Sequence, residues 1–248
     1  TTSNALKYSS PKFGGFSIAA EYALTNNTSW NSGNPGSGPG TYGQGQGRAN
    51  GVRVQYSGGV VEALAIYDEV RGINGKFDNV YTASRSILGG GVLSFDPIKV
   101  YFGYQHLSAP DASNQGYFGT DTAPTLPAGV GLPTTINQEW IGVAWQATPA
   151  ASLRAACYHA NANNGNGNAT LYTLSGQYNL SKRTYFYSEL GYVHNSSTSN
   201  VGLNDGASDP YGPNANNDPS SGNTNSSPNY GHSQLGVYAG YFCPSPEN

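Results

Sequence analysis

Residues 168–192 alternate apolar and polar positions over two segments joined by a short polar turn. In the first segment Tyr172, Leu174, Gly176 and Tyr178 share one face, and Thr173, Ser175 and Gln177 share the other. In the second, Phe186, Leu190 and Tyr192 oppose Tyr187 and Glu189. Each apolar face begins and ends in an aromatic. Nothing in a soluble sheet requires that, whereas a bilayer seats amphipathic rings at its two headgroup levels, about 25 Å apart across an outer-membrane barrel. The pattern predicts a hairpin with lipid on one face and water on the other.

The same period of two, punctuated by turn residues, predicts about eleven strands, near residues 4–11, 15–24, 51–57, 60–69, 79–94, 98–107, 137–147, 151–160, 169–179, 184–194 and 232–242. Their connections alternate. Short ones at 12–14, 58–59, 95–97, 148–150 and 180–183 take turns with longer ones at 25–50, 70–78, 108–136, 161–168 and 195–231. The long ones are rich in Gly, Asn, Ser and Pro and read as solvated loops. Strict alternation puts every long loop on one side of an up-and-down meander, the topology of an outer-membrane barrel with short periplasmic turns.

Composition fits that reading. Only 10% of the 248 residues are charged, against roughly a quarter in a soluble protein, and there are 34 Gly, 19 Tyr and no Met. No segment approaches the roughly 18 unbroken apolar residues of a spanning helix. A mean hydropathy of -0.47 is compatible with barrel strands, which show lipid only every second side chain. The net charge of -3 and scattered basic residues give no footprint for nucleic acid. With no Met at position 1 and no signal-peptide pattern, the expectation is a chain that begins after a processed or cut end. Cys157 takes the apolar parity of its strand and Cys243 follows the last strand, so both are expected as free thiols.

Two blocks carry a family resemblance. Tyr178-Asn-Leu-Ser-Lys-Arg-Thr184, and Asn4-Ala-Leu-Lys-Tyr-Ser-Ser-Pro11 with Phe13-Gly-Gly-Phe16, resemble hairpins of the Gram-negative general porins, particularly those of betaproteobacteria. The likeness covers the chain except its final six residues. It implies an all-β, antiparallel up-and-down transmembrane β-barrel of the sixteen-stranded porin type, set in outer-membrane lipid and passing small ions and solutes. Residues 1–248 are then expected to supply strands six to sixteen, with 243–248 as an atypical tail. Strand parity agrees, because the first strand starts on the long-loop side, so an odd number of strands is expected before it. The resemblance further implies an anion-preferring homotrimer in the intact protein. Family members end in a terminal aromatic, whereas here Phe242 is followed by Cys-Pro-Ser-Pro-Glu-Asn248, and Pro244 and Pro246 should stop the strand. The expectation is a sheet curled like an open barrel with residues 4–11 as a free or parallel-paired edge, unable to trimerise or conduct alone.

Parity also sorts the candidate site residues. Lys7, Glu21, Arg53, Lys99, Arg154 and Glu189 are expected to face the lumen, since a basic side chain at mid-depth in lipid would cost roughly 2–4 kcal/mol. Arg53 and Arg154, at mid-strand, are the first candidates for tuning ion preference. Tyr22, Tyr104, Tyr172 and Tyr192 are expected in the external membrane girdle. Phe16, Tyr56, Trp145, Tyr178, Phe186 and Tyr241 are expected in the periplasmic one.

Other chemistry is weakly supported. His106, His159, His194 and His232 fall at the long-loop ends of strands, with only the last two on neighbouring strands, which favours a hydrogen-bonding rim over a metal site. Asp205, Asp209 and Asp218 match no calcium-loop spacing. No Gly-x-Ser-x-Gly, His-Glu-x-x-His or phosphate-binding Gly loop is present. In the pair His232-Ser233, adjacent strand positions point to opposite faces. The expectation is a non-enzymatic channel without a cofactor. A surface adhesin or receptor barrel with a plugged lumen would lack open conductance, and a secreted β-sandwich lectin would stay soluble without detergent.

Overall fold

A computed structural model describes residues 4–24, 46–72, 74–119, 123, 125–203 and 228–243. Eleven strands follow one another: β1 (Ala5–Ser9), β2 (Phe16–Ala23), β3 (Gln46–Gly58), β4 (Val61–Gly72), β5 (Arg85–Phe95), β6 (Ile98–Ser108), β7 (Thr135–Gln146), β8 (Ala151–Ala162), β9 (Gly167–Asn179), β10 (Tyr185–Asn195) and β11 (Gln234–Phe242). Each pairs antiparallel with the next in sequence, giving a single sheet in the order β1 to β11. The sheet is open, with β1 and β11 at its edges. No described helix is long and apolar enough to cross a membrane, which says nothing of crossing by strands.

The register explains how so polar a chain makes so large a sheet. Across β8, β9 and β10, Leu153↔Gly176↔Ser188, Ala155↔Leu174↔Leu190 and Cys157↔Tyr172↔Tyr192 line up on one face. Ser152↔Gln177↔Tyr187 and Arg154↔Ser175↔Glu189 line up on the other. A slip of one residue would exchange the two sets, so the alternation fixes the pairing. The apolar face is unusually bare: Tyr172, Leu174, Tyr178, Phe186 and Tyr241 are all at least half exposed.

Little of the burial lies between sheet faces. The principal core is made of loops: Phe77, Val80, Ala109, Tyr117 and Phe118 close around Ile136, with Leu107 and Ala162 against them. Ile136 and Ala162 are register partners, and Leu107 pairs with Ile136, all on the polar-face parity. The β4–β5 and β6–β7 loops therefore fold back over the external end of that face. A short helix, α1 (Asn114–Phe118), presents Tyr117 and Phe118 to this core, and its N-cap Ser113 hydroxyl accepts from the Gly116 amide at 3.1 Å. The Val80 amide donates to the Tyr117 hydroxyl at 3.2 Å, and that hydroxyl donates to the Pro133 carbonyl at 2.5 Å.

This core corrects one sequence expectation. A strand from residue 79 is not formed; β5 begins at Arg85. The apolar residues that prolonged the pattern serve the loop core, where Val80 is fully buried and Asn79 and Ala83 close a tight turn. In β3 the correction runs the other way, since pairing with β4 begins at Gln46↔Gly72, across a bulge before Ala49↔Val70.

Candidate functional site

The polar face carries the candidate chemistry. Lys7 and Glu21 are register partners and form an ion pair of 3.3 Å. One strand further, Arg53 sits between Ala19 and Ile66. Gln105 donates to the Ser86 hydroxyl at 2.9 Å. Lys7, Glu21, Arg53, Asp68, Ser86 and Gln105 line a hollow of about 680 Å³ together with the aliphatic side chains of Ile66 and Leu88. Positive and negative charges are nearly matched there, so the hollow is polar without being strongly basic.

Towards the short-turn side, the row Ser94↔Lys99↔Ala144↔Arg154↔Ser175↔Glu189 crosses six strands on the same face. A second hollow, of about 470 Å³, is shared by Lys99 and Arg154 with Ser94, Asp96, Gln146 and Ser152. All six residues expected on this face, Lys7, Glu21, Arg53, Lys99, Arg154 and Glu189, thus take one parity of the sheet. The structure gathers the first three around one hollow and Lys99 with Arg154 around another. Glu189 stands apart, paired with Tyr238 in register. Beside it Tyr187 donates to the Tyr238 hydroxyl at 3.2 Å, and Tyr185 stacks on Phe242 with centroids 5.3 Å apart.

The ten aromatics expected in girdles take the opposite parity. Phe16 pairs with Tyr56, Tyr178 with Phe186 and Phe186 with Tyr241 near the short turns. Trp145 sits there too, opposite Ile98 and Leu153. Tyr172 and Tyr192 are register partners with rings 6.5 Å apart near the long-loop side. Tyr22 packs beneath Arg48, and Tyr104 donates to Asn137 at 2.7 Å.

Several features lay outside the sequence reading. Glu139 occupies the aromatic parity, between Tyr104 and His159 in register. Its alternation with Ile141 and Val143 was the available signal. His159 contacts the Thr170 hydroxyl at 2.8 Å and His106 contacts Asn137 at 2.8 Å, so four neighbouring strands, β6 to β9, carry a polar band beside the external aromatics. At the same end, Glu69 accepts from Tyr67 at 2.6 Å and pairs with Arg71 at 3.3 Å, and the Arg71 and Arg85 guanidiniums lie 4.2 and 5.0 Å from the Phe77 ring centre.

The final long connection also packs inward. Leu203 lies against the α-carbon positions of Gly191 and Gly236, its amide donating to the Gln234 side chain at 2.8 Å. Ser233, just before β11, meets His194 of β10 at 3.1 Å. No described cluster of three His, Cys, Asp or Glu side chains could hold a metal ion. Asp205, Asp209 and Asp218 lie outside the described residues. Cys157 and Cys243 are both free thiols.

A family model described as Gram-negative porin matches residues 1–198. Among solved structures, the anion-selective porin from Comamonas acidovorans superposes with a TM-score of 0.65 at 20% identity, over 98% of this chain and 59% of that one. A porin refined at 1.8 Å gives 0.50 at 14% identity over 75% and 55%. OmpT, an outer-membrane protein of Vibrio cholerae, gives 0.52 at 13% identity over 96% and 64%. At such identities the likeness establishes the fold, and the chain spans about three fifths of the length of the first of these proteins. Among curated proteins no sequence matches the chain.

Proposed function

The chain belongs to the Gram-negative porin family, an outer-membrane family, and we propose that its eleven strands form part of the wall of a water-filled channel through which small hydrophilic solutes and ions diffuse. The observation that carries this reading is the sorting of the strands' two faces. Lys7, Glu21, Arg53, Glu62, Asp68, Lys99, Arg154 and Glu189 share the face that lines the two hollows, while the exposed branched side chains of the strands and the ten girdle aromatics share the other. Charges on the first face keep water, and rings on the second suit the headgroup levels. Glu139, Arg48, Glu69, Arg71 and Arg85 are charged strand residues of the second face; Glu139 stands level with Tyr104 and the other four lie at the long-loop ends of β3, β4 and β5, where water is within reach.

The two open sheet edges are part of the proposal. An unpaired edge is not tolerated in hydrocarbon, so β1 and β11 meet further strands of the same barrel in the assembled wall. Transport needs no turnover chemistry: passage is governed by pore width and local field. The His194–Ser233 contact is exposed, and among the described residues no carboxylate pairs with the imidazole, so it is assigned no catalytic role.

The test is the conductance of the full-length protein in planar bilayers. Ohmic, regular steps support the channel. A protein that inserts but never conducts favours the receptor reading, in which external loops bind a partner over a closed lumen. The homotrimer implied by family resemblance belongs to the same proposal, and the native mass in detergent tests it.

A further inference from the structure

The two hollows on the inner wall differ in charge. Around Arg53, the cations Lys7 and Arg53 face the carboxylates Glu21 and Asp68, and Lys7 is already committed to Glu21 at 3.3 Å. Around Arg154, two cations face one carboxylate, Asp96. Lys99 and Arg154 are exposed, and neither makes an ion pair or side-chain hydrogen bond among the described residues.

Their geometry favours convergence. They occupy one row of the sheet on alternate strands, with only the methyl of Ala144 between them. Backbones two strands apart are separated by about 9.6 Å, a gap that two long, flexible side chains close from both sides over so small a neighbour. The hydroxyls of Ser94 and Ser152 border the same space. The Gln146 amide nitrogen is turned away, donating to the Thr148 and Ala151 carbonyls at 2.7 and 3.2 Å, so the ionic donors of the hollow are Lys99 and Arg154 alone. The guanidinium offers a planar fork to two oxygens, and the ammonium offers a mobile point charge to a third.

We propose that Lys99 and Arg154 form an oxyanion-binding station near the periplasmic end of the inner wall, suited to small solutes bearing phosphate. The proposal rests on the channel reading and adds to it a discrete, saturable site. Lys99 follows the 96–97 turn and Arg154 follows the 147–150 turn, both on the short-turn side, so an inbound solute meets the station last. Asp96 and open water keep its hold weak. That suits a passage site, which must release what it binds.

The test uses the full-length protein in planar bilayers, with inorganic phosphate added to a chloride background on the periplasmic side. Phosphate should reduce the open-channel current along a saturating curve. The half-effect concentration should rise about threefold in Lys99→Gln or Arg154→Gln and about tenfold in the double variant, and Arg154→Glu should abolish the effect. Lys182→Gln, an exposed lysine in the 180–184 turn, should match the unsubstituted protein. Open steps with no saturable phosphate effect, or an effect unchanged in the double variant, overturn the station and leave the channel reading standing. Absence of steps counts against the channel reading itself. In that event the phosphorus-31 linewidth of phosphate with detergent-solubilised protein decides the station: saturable broadening lost in the double variant supports it, and none overturns it.

Discussion

Trp140 lies across Gly103 on the inner face of the sheet, so closely that a β-carbon at position 103 would collide with the indole ring. The two are register partners on β7 and β6, and Gly90 continues the cleared strip on β5. The wide ring thus lies over this strip of glycines.

Gly103→Ala should therefore force the indole off the wall. We expect a loss of about 1–3 kcal/mol, typical of overpacking, read as a lower unfolding temperature of the detergent-folded protein. Trp140→Ala in the same chain should recover most of that loss. Equal, additive losses from the two substitutions would show that the contact does not exist.

Tyr117→Phe tests the loop core. The hydroxyl accepts from Val80 and donates to Pro133, and both partners are buried. Leaving them unsatisfied should cost about 1–3 kcal/mol of local stability. Hydrogen exchange at the Val80 amide should accelerate accordingly, while amides at the centre of β9 stay unchanged.

Asp78 gives the same core a pH dependence. Burial pushes its carboxyl above the ordinary carboxylate range; nearby Asp111 adds to the rise, and the Asn74 side-chain amide, a backbone amide and Lys76 oppose it. A raised folded-state pKa means that the folded loops favour the protonated acid. The contribution is fully present below the unfolded pKa and is lost as pH rises through the folded one. Protease nicking within residues 74–84 should become faster as pH increases from the acid range towards neutrality, and Asp78→Asn should flatten the dependence. Faster nicking on acidification would reverse the sign and refute the assignment.

Much of the sheet was legible because membrane strands obey a strict period of two. The hairpin of β9 and β10 has Tyr172 opposite Tyr192 and Tyr178 opposite Phe186, the arrangement its alternation demands. What escaped the sequence lies where the period stops. Val80 and Tyr81 imitate strand positions but pack with loop residues dozens of positions away, and α1 is too short to show a helical period. The placement of Lys99 and Arg154 around one hollow depends on register across three strands and on the small Ala144 between them, neither of which a single strand reveals.

Charge on the inner wall should set ion preference. Replacing both Arg53 and Arg154 by Ala should shift reversal potentials in a salt gradient towards cations, because positive charge in a confined pore enriches anions over a screening length of about 8 Å. Arg154→Ala should supply most of the shift, since acids surround Arg53. Unchanged potentials in the double variant would reduce both arginines to solvated wall residues.

The central claim is that one face of these strands meets water and the other lipid, and scanning cysteine accessibility along β8 in the full-length protein tests it most directly. With Cys157 and Cys243 replaced by Ala and Ser, single cysteines at Ser152, Leu153, Arg154, Ala155 and Ala156 are treated in membranes with a charged, membrane-impermeant thiol reagent. Positions 152, 154 and 156 should react, and their modification should lower conductance, while 153 and 155 should stay protected. Uniform reactivity along the strand, or reaction confined to 153 and 155, would contradict the account.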